Sequence, residues 1–305
     1  MQNRRDFIKK ALAGAALLTI PMSSRAFVGD KGTRIVILHT SDVHSHIDPM
    51  PLNHTRYPGM GGFAQRAAVV NKIRKENDHV LLLDSGDIFQ GTPYFNFYEG
   101  SLELELMTKM KYDAATLGNH EFDNGLESLN EQLQHAGFPF VSANYSFENT
   151  VLAGKIAPWL IIDKGPVKIG ITGLGIDPER LVAPSNYKGM VWSDPIKVGN
   201  ATAKLLKEEQ GCDLVIAMTH LGLKMDKGRL DDYQLAAASE NIDIILGGHT
   251  HSFIDAPIIE TNAAGRQVLI LHSGQNGVRM GRLDLLFNKD QNNDLAYKIE
   301  TPDQQ

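Results

Sequence analysis

Gly118-Asn-His-Glu-Phe-Asp-Asn-Gly125 follows directly on Asp113-Ala-Ala-Thr-Leu117. The earlier run is short, apolar and bounded by a charge, so it reads as a buried strand. The stretch after it packs an amide oxygen (Asn119), an imidazole (His120), two carboxylates (Glu121, Asp123) and turn residues into one bend. A loop with only a connecting job has no need of that chemistry.

Other strand ends carry the same signature. Strand-like runs are expected at 34–39, 80–83, 114–117, 140–142, 167–172, 214–218, 242–246, 268–271 and 283–287. The first leads into Thr40-Ser-Asp-Val-His-Ser-His46, and the second into Asp84-Ser-Gly-Asp87. The runs at 214–218 and 242–246 end in Thr219-His220 and Gly247-Gly-His-Thr-His251. Several of these runs are Val/Ile/Leu-rich without alternation, as strands covered on both faces are. Helical patterns at 62–76, 101–111, 124–136 and 195–209 lie between them, which makes the chain an α/β protein. In such folds the carboxyl ends of the strands line the ligand crevice. Of 11 histidines, His44, His120, His220, His249 and His251 fall there. Satisfied turn residues explain any one of these motifs, but not all five at one sheet edge.

The combined inventory is Asp42, His44, Asp87, Asn119, His220, His249 and His251. It mixes oxygen and nitrogen donors, contains no thiolate, and is too large for one tetrahedral structural zinc. It suits two divalent ions such as Mn, Zn, Fe or Co. Paired ions about 3.5–4 Å apart can clamp both the attacking and the leaving oxygen of a displacement, and lower the pKa of bound water.

The set Asp42-x-His44, Gly86-Asp87, Gly118-Asn-His-Glu121, His220 and Gly248-His-x-His251 resembles the calcineurin-like metallophosphoesterases. Ile37-Leu-His-Thr-Ser-Asp-Val-His44, Gly118-Asn-His-Glu-Phe-Asp123 and Met280-Gly-Arg-Leu-Asp284 look more closely like the bacterial 5′-nucleotidase and UDP-sugar hydrolase group. The likeness covers nearly all of residues 34–287. It implies a four-layer α-β-β-α sandwich of two mixed sheets flanked by helices. It implies a phosphoric monoester hydrolase, of 5′-nucleotidase or nucleotide phosphatase type, in which a hydroxide held by the metals attacks phosphorus. Cyclic phosphodiester hydrolysis and sulfur-ester hydrolysis, as in the related thiosulfohydrolases, are the alternatives.

Residue by residue, the resemblance assigns Asp42, His44 and His251 to one metal, and Asn119, His220 and His249 to the other. Asp87 would bridge. His120 would stabilise the phosphoryl group without binding metal, and Asp123 would orient it. Asp123 can also be read as a cap on the following helix, a reading compatible with that role. Asp84 is either a support for the ligands or a plain turn residue. His46 is loop or substrate contact, and His39 and His272 read as satisfied core histidines. Cys212, the single cysteine, reads as a small buried apolar residue.

The first residues belong to targeting. Asn3-Arg-Arg-Asp-Phe-Ile-Lys-Lys10 is a basic region with a twin arginine, and the apolar run after it is too short to span a bilayer. Ser24-Arg-Ala26 supplies small residues for cleavage, so residues 1–26 resemble a bacterial twin-arginine export signal. Residues 27–305 would then be a catalytic domain, periplasmic or secreted, with no membrane span. Losing residues 1–26 takes the formal charge from −6 to about −10, which disfavours nucleic acid as a partner. The 5′-nucleotidases carry a further C-terminal domain that stacks the nucleobase. The chain carries no counterpart of it, so the resemblance suggests a separate nucleotide-recognition chain, or a catalytic subunit inactive without one. The polar tail from Asn288 is expected to fray.

Overall fold

A computed structural model describes residues 32–226, 228–287 and 294–302. The expected export signal lies outside the described residues. The strands are β1 (Thr33–Thr40), β2 (Val80–Asp84), β3 (Ala114–Ala115), β4 (Tyr145–Ser146), β5 (Trp159–Lys164), β6 (Val167–Gly175), β7 (Val191–Trp192), β8 (Leu214–His220), β9 (Ile244–Gly247), β10 (Ile258–Thr261), β11 (Gln267–His272), β12 (Met280–Phe287) and β13 (Asp294–Glu300). The helices are α1 (Phe63–Glu76), α2 (Pro93–Tyr98), α3 (Ser101–Lys109), α4 (Gly125–Gln132), α5 (Pro195–Lys204) and α6 (Asp232–Ala238).

Two mixed sheets form, in the orders β13-β12-β1-β2-β3 and β10-β11-β9-β8-β6-β5. Alternate residues of each central strand face opposite ways, and this sorts the apolar residues into three cores. From β1, Ile35 and Ile37 meet Ile216, Met218, Ile244 and Leu271 in the layer between the sheets. Val36 and Leu38 face outward against Phe63 and Val70 of α1 and Leu104 and Met107 of α3. On the far side, Val215, Ala217, Ile245 and Ile270 pack beneath Ala203 of α5 and Leu235 of α6. The result is the expected four-layer sandwich. It also explains why Ile35–Leu38 of β1 and Leu214–Met218 of β8 are apolar at consecutive positions: both faces of these runs are covered.

The middle of each sheet is parallel. Thr40 pairs with Asp84, and Asp84 with Ala115. In the other sheet Gly175 pairs with His220, and Thr219 with Gly247. Parallel strands finish at one edge, so the loops that follow them are delivered to a single rim.

Several boundaries differ from the sequence reading. Residues 140–142 form isolated bridges, Ala115 to Phe140 and Val141 to Ala157, rather than a strand. The helix expected over 124–136 ends at Gln132 and tightens into a 3₁₀ turn, Leu133–His135. The one expected over 195–209 finishes in a π-helical turn, Leu205–Glu209. α2, α6, β5 and β10 have no counterpart in the sequence reading. The tail is not all frayed, because Asp294–Glu300 adds β13 to the edge of β12. Leu295, Tyr297 and Ile299 alternate with other residues there, a period-2 signal that the surrounding polar residues obscure. Among the described residues no helix is long and apolar enough to cross a membrane.

Candidate metal centre

The rim is built on strained backbone. Asp42, His44, Ser45, Asp87, His249 and His251 all adopt the left-handed conformation, with φ between 50° and 74°. Non-glycine residues seldom do so, and such strain persists only where surrounding contacts over-determine it. Here it turns side chains from separate loops inward. Two glycines permit the approach. A Cβ on Gly118 would sit 2.2 Å from Asp87 Oδ1, and one on Gly248 would sit 2.8 Å from His220 Nδ1 and 3.1 Å from Asp42 Oδ2.

The side chains meet in three overlapping groups: Asp42, His44 and His251; His44, Asp87 and His120; and Asp87, His220 and His249. Within each group the ligand atoms lie within 4.8 Å of one another. Asp87 and His44 each belong to two groups. Asn119 is buried, and its Oδ1 has no hydrogen-bond partner among the described residues. The next residue's amide, His120 N, donates to Asp87 Oδ1 at 2.9 Å.

Hydrogen bonding at the back of two imidazoles settles which of their nitrogens faces the cluster. His44 Nδ1 lies 3.1 Å from Gln90 O, and His220 Nδ1 2.7 Å from Ser85 O. A carbonyl only accepts, so both Nδ1 atoms carry a proton and both Nε2 atoms face the cluster, each with a lone pair whenever its ring is neutral. His44 Nε2 then points at His251 Nε2, 2.9 Å away. His220 Nε2 points at Asp87 Oδ2, at 2.9 Å, and at Asp42 Oδ1, at 3.9 Å. Asp42 Oδ2 is buried with no partner among the described residues. Acceptors so converged repel one another unless a proton or a cation lies among them. The donor set therefore fits divalent metal.

The electrostatics agree. Burial lowers His44 to about 4, and burial with the neighbouring His220 lowers His249 to about 3, so both are neutral ligands at pH 7. Burial raises Asp42 to about 7. Burial opposes charge on His220 and on Asp87 alike, yet each holds the other ionised. His220 rises to about 10 while Asp87 falls well below the usual carboxylate range.

His120 is placed differently. Its Nδ1 lies 2.7 Å from Asp123 Oδ2, and its ring packs edge-on to His44 at 5.3 Å. Burial works against its charge, but Asp123 and Asp87 raise it to about 9. Asp123 does not cap α4: the N-cap is Asn124, and no side chain makes a capping hydrogen bond there.

The supporting residues also sort themselves. Asp84 accepts from Thr40 Oγ1 at 2.6 Å and from Gly86 N at 2.9 Å, holding the turn that carries Asp87. His46 hydrogen-bonds within its own loop, to Val43 O and His44 O. His272 is a satisfied core residue, 2.7 Å from Asp232 Oδ2. His39 is buried as expected, but neither of its nitrogens has a partner among the described residues, so it is not satisfied. Cys212 is buried in the outer core with Leu206 and Val215.

The sequence reading gave Glu121 no task. Its carboxylate accepts four backbone amides: Asp87 N at 2.9 Å, Ile88 N at 2.8 Å, Phe89 N at 3.2 Å and Gly118 N at 2.5 Å. One side chain thus sews the loop after β2 to the loop after β3. Burial and the nearby Asp87 raise it to about 7, against the amides that favour its anion. The only sequence signal was a carboxylate between two site residues, and spacing does not show that it folds back onto another loop.

The calcineurin-like phosphoesterase family model matches residues 35–253. A snake venom 5′-nucleotidase from Crotalus adamanteus is 33% identical over 276 residues, which is 83% of this chain and 45% of that protein. The crystal structure of a 5′-nucleotidase precursor from Thermus thermophilus superposes with a TM-score of 0.79 at 28% identity, over 88% of this chain and 55% of that one. The calcineurin-like phosphoesterase YfkN from Bacillus subtilis superposes at 0.69 with 26% identity, over 89% of this chain and 91% of that one. The chain spans about half the length of the venom enzyme.

Glu121→Ala would strand the four amides in a dry interior, at a cost of at least ~3 kcal/mol. Urea unfolding should show that loss, and elemental analysis should show less bound metal. Unchanged stability together with unchanged metal content would refute the tethering role.

Proposed function

The chain belongs to the calcineurin-like phosphoesterase family, and from that premise we propose that it is a phosphoric monoester hydrolase of 5′-nucleotidase type, working with two divalent cations. The observation that carries the reading is the convergence of metal-ligating side chains from five strand ends beside one imidazole that is paired with a carboxylate. Asp42, His44 and His251 would hold one cation, and Asn119, His220 and His249 the other. Asp87 would lie between them, since it belongs to both sides of the cluster. Bound there, the cations would supply positive charge to the phosphoryl oxygens and acidify water. Mn, Zn, Fe and Co all suit this donor set.

The chain's own contribution centres on His120. With Nδ1 tied to Asp123, its imidazolium offers Nε2–H to a phosphoryl oxygen and to the charge that develops on it. Asp123 is the positioning residue that keeps the ring turned and protonated. The nucleotidase reading is preferred to cyclic phosphodiester or sulfur-ester hydrolysis because the relatives named above include 5′-nucleotidases at 33% and 28% identity.

Two further elements of the proposal concern setting. The Arg4-Arg5 signature supports twin-arginine export to the periplasm. A separate nucleotide-recognition chain is the other; co-purification with a chain that raises nucleotide turnover above that of this chain alone would support it, and the absence of any such rise would remove it.

A substrate panel tests the activity. After chelation the protein should hydrolyse no phosphoester. Mn, Zn or Co should restore activity on 5′-nucleotides ahead of UDP-sugars, cyclic nucleotides and an aryl phosphate. Restored hydrolysis confined to cyclic nucleotides would sink the reading.

His120→Asn should keep its metal and lose roughly 10²-fold or more in turnover, the scale of a lost stabilising group. The pH profile is a finer check. With His120 raised to about 9, its charged form is present below that value and lost above it. With the cations bound, whose charge opposes the imidazolium, turnover should fall as pH rises through a value below about 9. In Asp123→Asn the fall should move to lower pH, toward the ordinary 6.5 of histidine. An alkaline limb that does not move would mean that Asp123 does not hold the proton.

Lysine at both Arg4 and Arg5 should leave the protein in the cytoplasmic fraction; unchanged export would exclude the twin-arginine route.

A further inference from the structure

The outer face of the second sheet carries a buried polar row behind the cluster. Thr219, Gly247 and His272 lie side by side on β8, β9 and β11, in pairing register. Asp232, the first residue of α6, reaches across all three. Its Oδ1 accepts from Thr219 Oγ1 at 2.6 Å, and its Oδ2 lies 2.7 Å from His272 Nε2. Between them the carboxylate rests on Gly247: a Cβ there would sit 2.2 Å from Asp232 Oδ2 and 2.1 Å from His272 Nε2. Asp232, Thr219 and His272 are all buried. We infer that Asp232 is a positioning residue for the cation assigned to His220 and His249, acting through the ends of β8 and β9. This rests on the two-cation reading of the site and names what aims one half of it.

Chain continuity transmits the constraint. Thr219 is followed by His220, and Gly247 stands two residues before His249. His44 and His220 have carbonyls at their backs. The His249 ring makes no hydrogen bond among the described residues; it packs edge-on to His220 at 5.3 Å. Its aim is therefore set by its backbone, which is left-handed at φ 74° and follows two glycines. Asp42 Oδ1 fixes that backbone from the first sheet, accepting from His249 N at 2.9 Å. Asp232 fixes it from the helix side of the second.

The start of α6 also ties down the loops beyond. Asp232 N donates to Gly222 O at 2.9 Å, and Asp231 Oδ2 accepts from Met225 N at 3.0 Å. Leu223 N in turn donates at 3.0 Å to Oγ1 of Thr250, which stands between His249 and His251. Leu235 and Ala236, further along α6, sink into the outer core with Ala217 and Ile245. A carboxylate in that dry layer is costly unless donors meet it. An apolar residue would serve packing as well. What the carboxylate adds is a fixed distance between neighbouring strand ends. Glu121 does the equivalent for the first sheet, where it gathers amides of two loops.

The test is titration of the metal-free full chain with Co. The wild type should take up two ions. His249→Ala should weaken one step and His44→Ala the other, which identifies the steps. Asp232→Ala should weaken the step that His249→Ala weakens by roughly 10–100-fold, the scale of a lost partner behind a metal ligand, and leave the other as it was. Asp232→Asn, which keeps an acceptor for Thr219 and a polar partner for His272, should recover most of the loss. Thr219→Val, a smaller change, should weaken the same step and add little when combined with Asp232→Ala. In the metal-free protein, amide hydrogen exchange over 247–251 should quicken about 10-fold in Asp232→Ala and in Thr219→Val, the scale of one lost hydrogen bond to a charged group.

The inference is overturned if the two variants take up both ions like the wild type, even with lowered urea stability, because Asp232 then only packs. It is also overturned if both steps weaken equally. If Asp232→Ala does not fold, Thr219→Val decides by the same outcomes. Should the wild type bind fewer than two ions, the two-cation reading falls by itself. Hydrogen exchange then still decides whether Asp232 holds the strand ends, and unchanged exchange over 247–251 would show that it does not.

Discussion

Mutual repulsion among buried acceptors is the constraint on which this molecule is organised. Asp42, Asp87, His44, His220, His249 and His251 would each be at ease in water or against a donor. Packed together behind carbonyl-fixed imidazoles, they are acceptors facing acceptors. Without cations the cluster is held only by protons, as in the His220–Asp87 pair, where burial penalises both charges and each keeps the other ionised. Such an arrangement contributes little to stability by itself. It has to be imposed by the rest of the fold.

The sandwich does the imposing. Three closely packed apolar layers fix two parallel strand bundles so that their carboxyl ends open on one rim. The strands supply position but not aim, and aim comes from the left-handed turns immediately after them. These conformations cost of order 1–3 kcal/mol each for non-glycine residues. They persist because groups behind the rim lock them: Asp84 holds the turn before Asp87, Ser85 O and Gln90 O hold imidazoles, and Glu121 gathers four amides. Stability made in the core is spent on geometry at the edge.

Which of this was readable in the sequence follows from the range of each interaction. The candidate ligands were legible because their signal is local: a strand pattern, then a polar residue, repeated five times. The α/β class was legible because covered strands are apolar on both faces, whereas the four-layer order came only from the family resemblance. β13 was not, because its alternation of Leu295, Tyr297 and Ile299 sits in a polar tail, and only pairing with β12 gives it meaning. Glu121 was missed for a related reason, since its partners belong to another loop. Asp123 was ambiguous because a carboxylate before a helix can cap it or reach sideways, and only its 2.7 Å approach to His120 decides between them. His39 shows the opposite failure. Position within a strand correctly implied burial, but burial does not guarantee a partner.

The charge balance ties the site to its substrate. The chain is acidic overall, at −6, and the cluster itself brings two carboxylates, with Glu121 directly behind them. A phosphate dianion approaching the metal-free rim would meet like charge in a low dielectric, where repulsion is strongest. Of the converging imidazoles, His120 and His220 are the ones raised toward the charged form. His220 is already matched to Asp87, and a single remaining imidazolium does not offset that field. Two divalent cations would invert it. Binding and chemistry would then depend on the same ions, and the protein would have no need of a basic surface to attract phosphoesters.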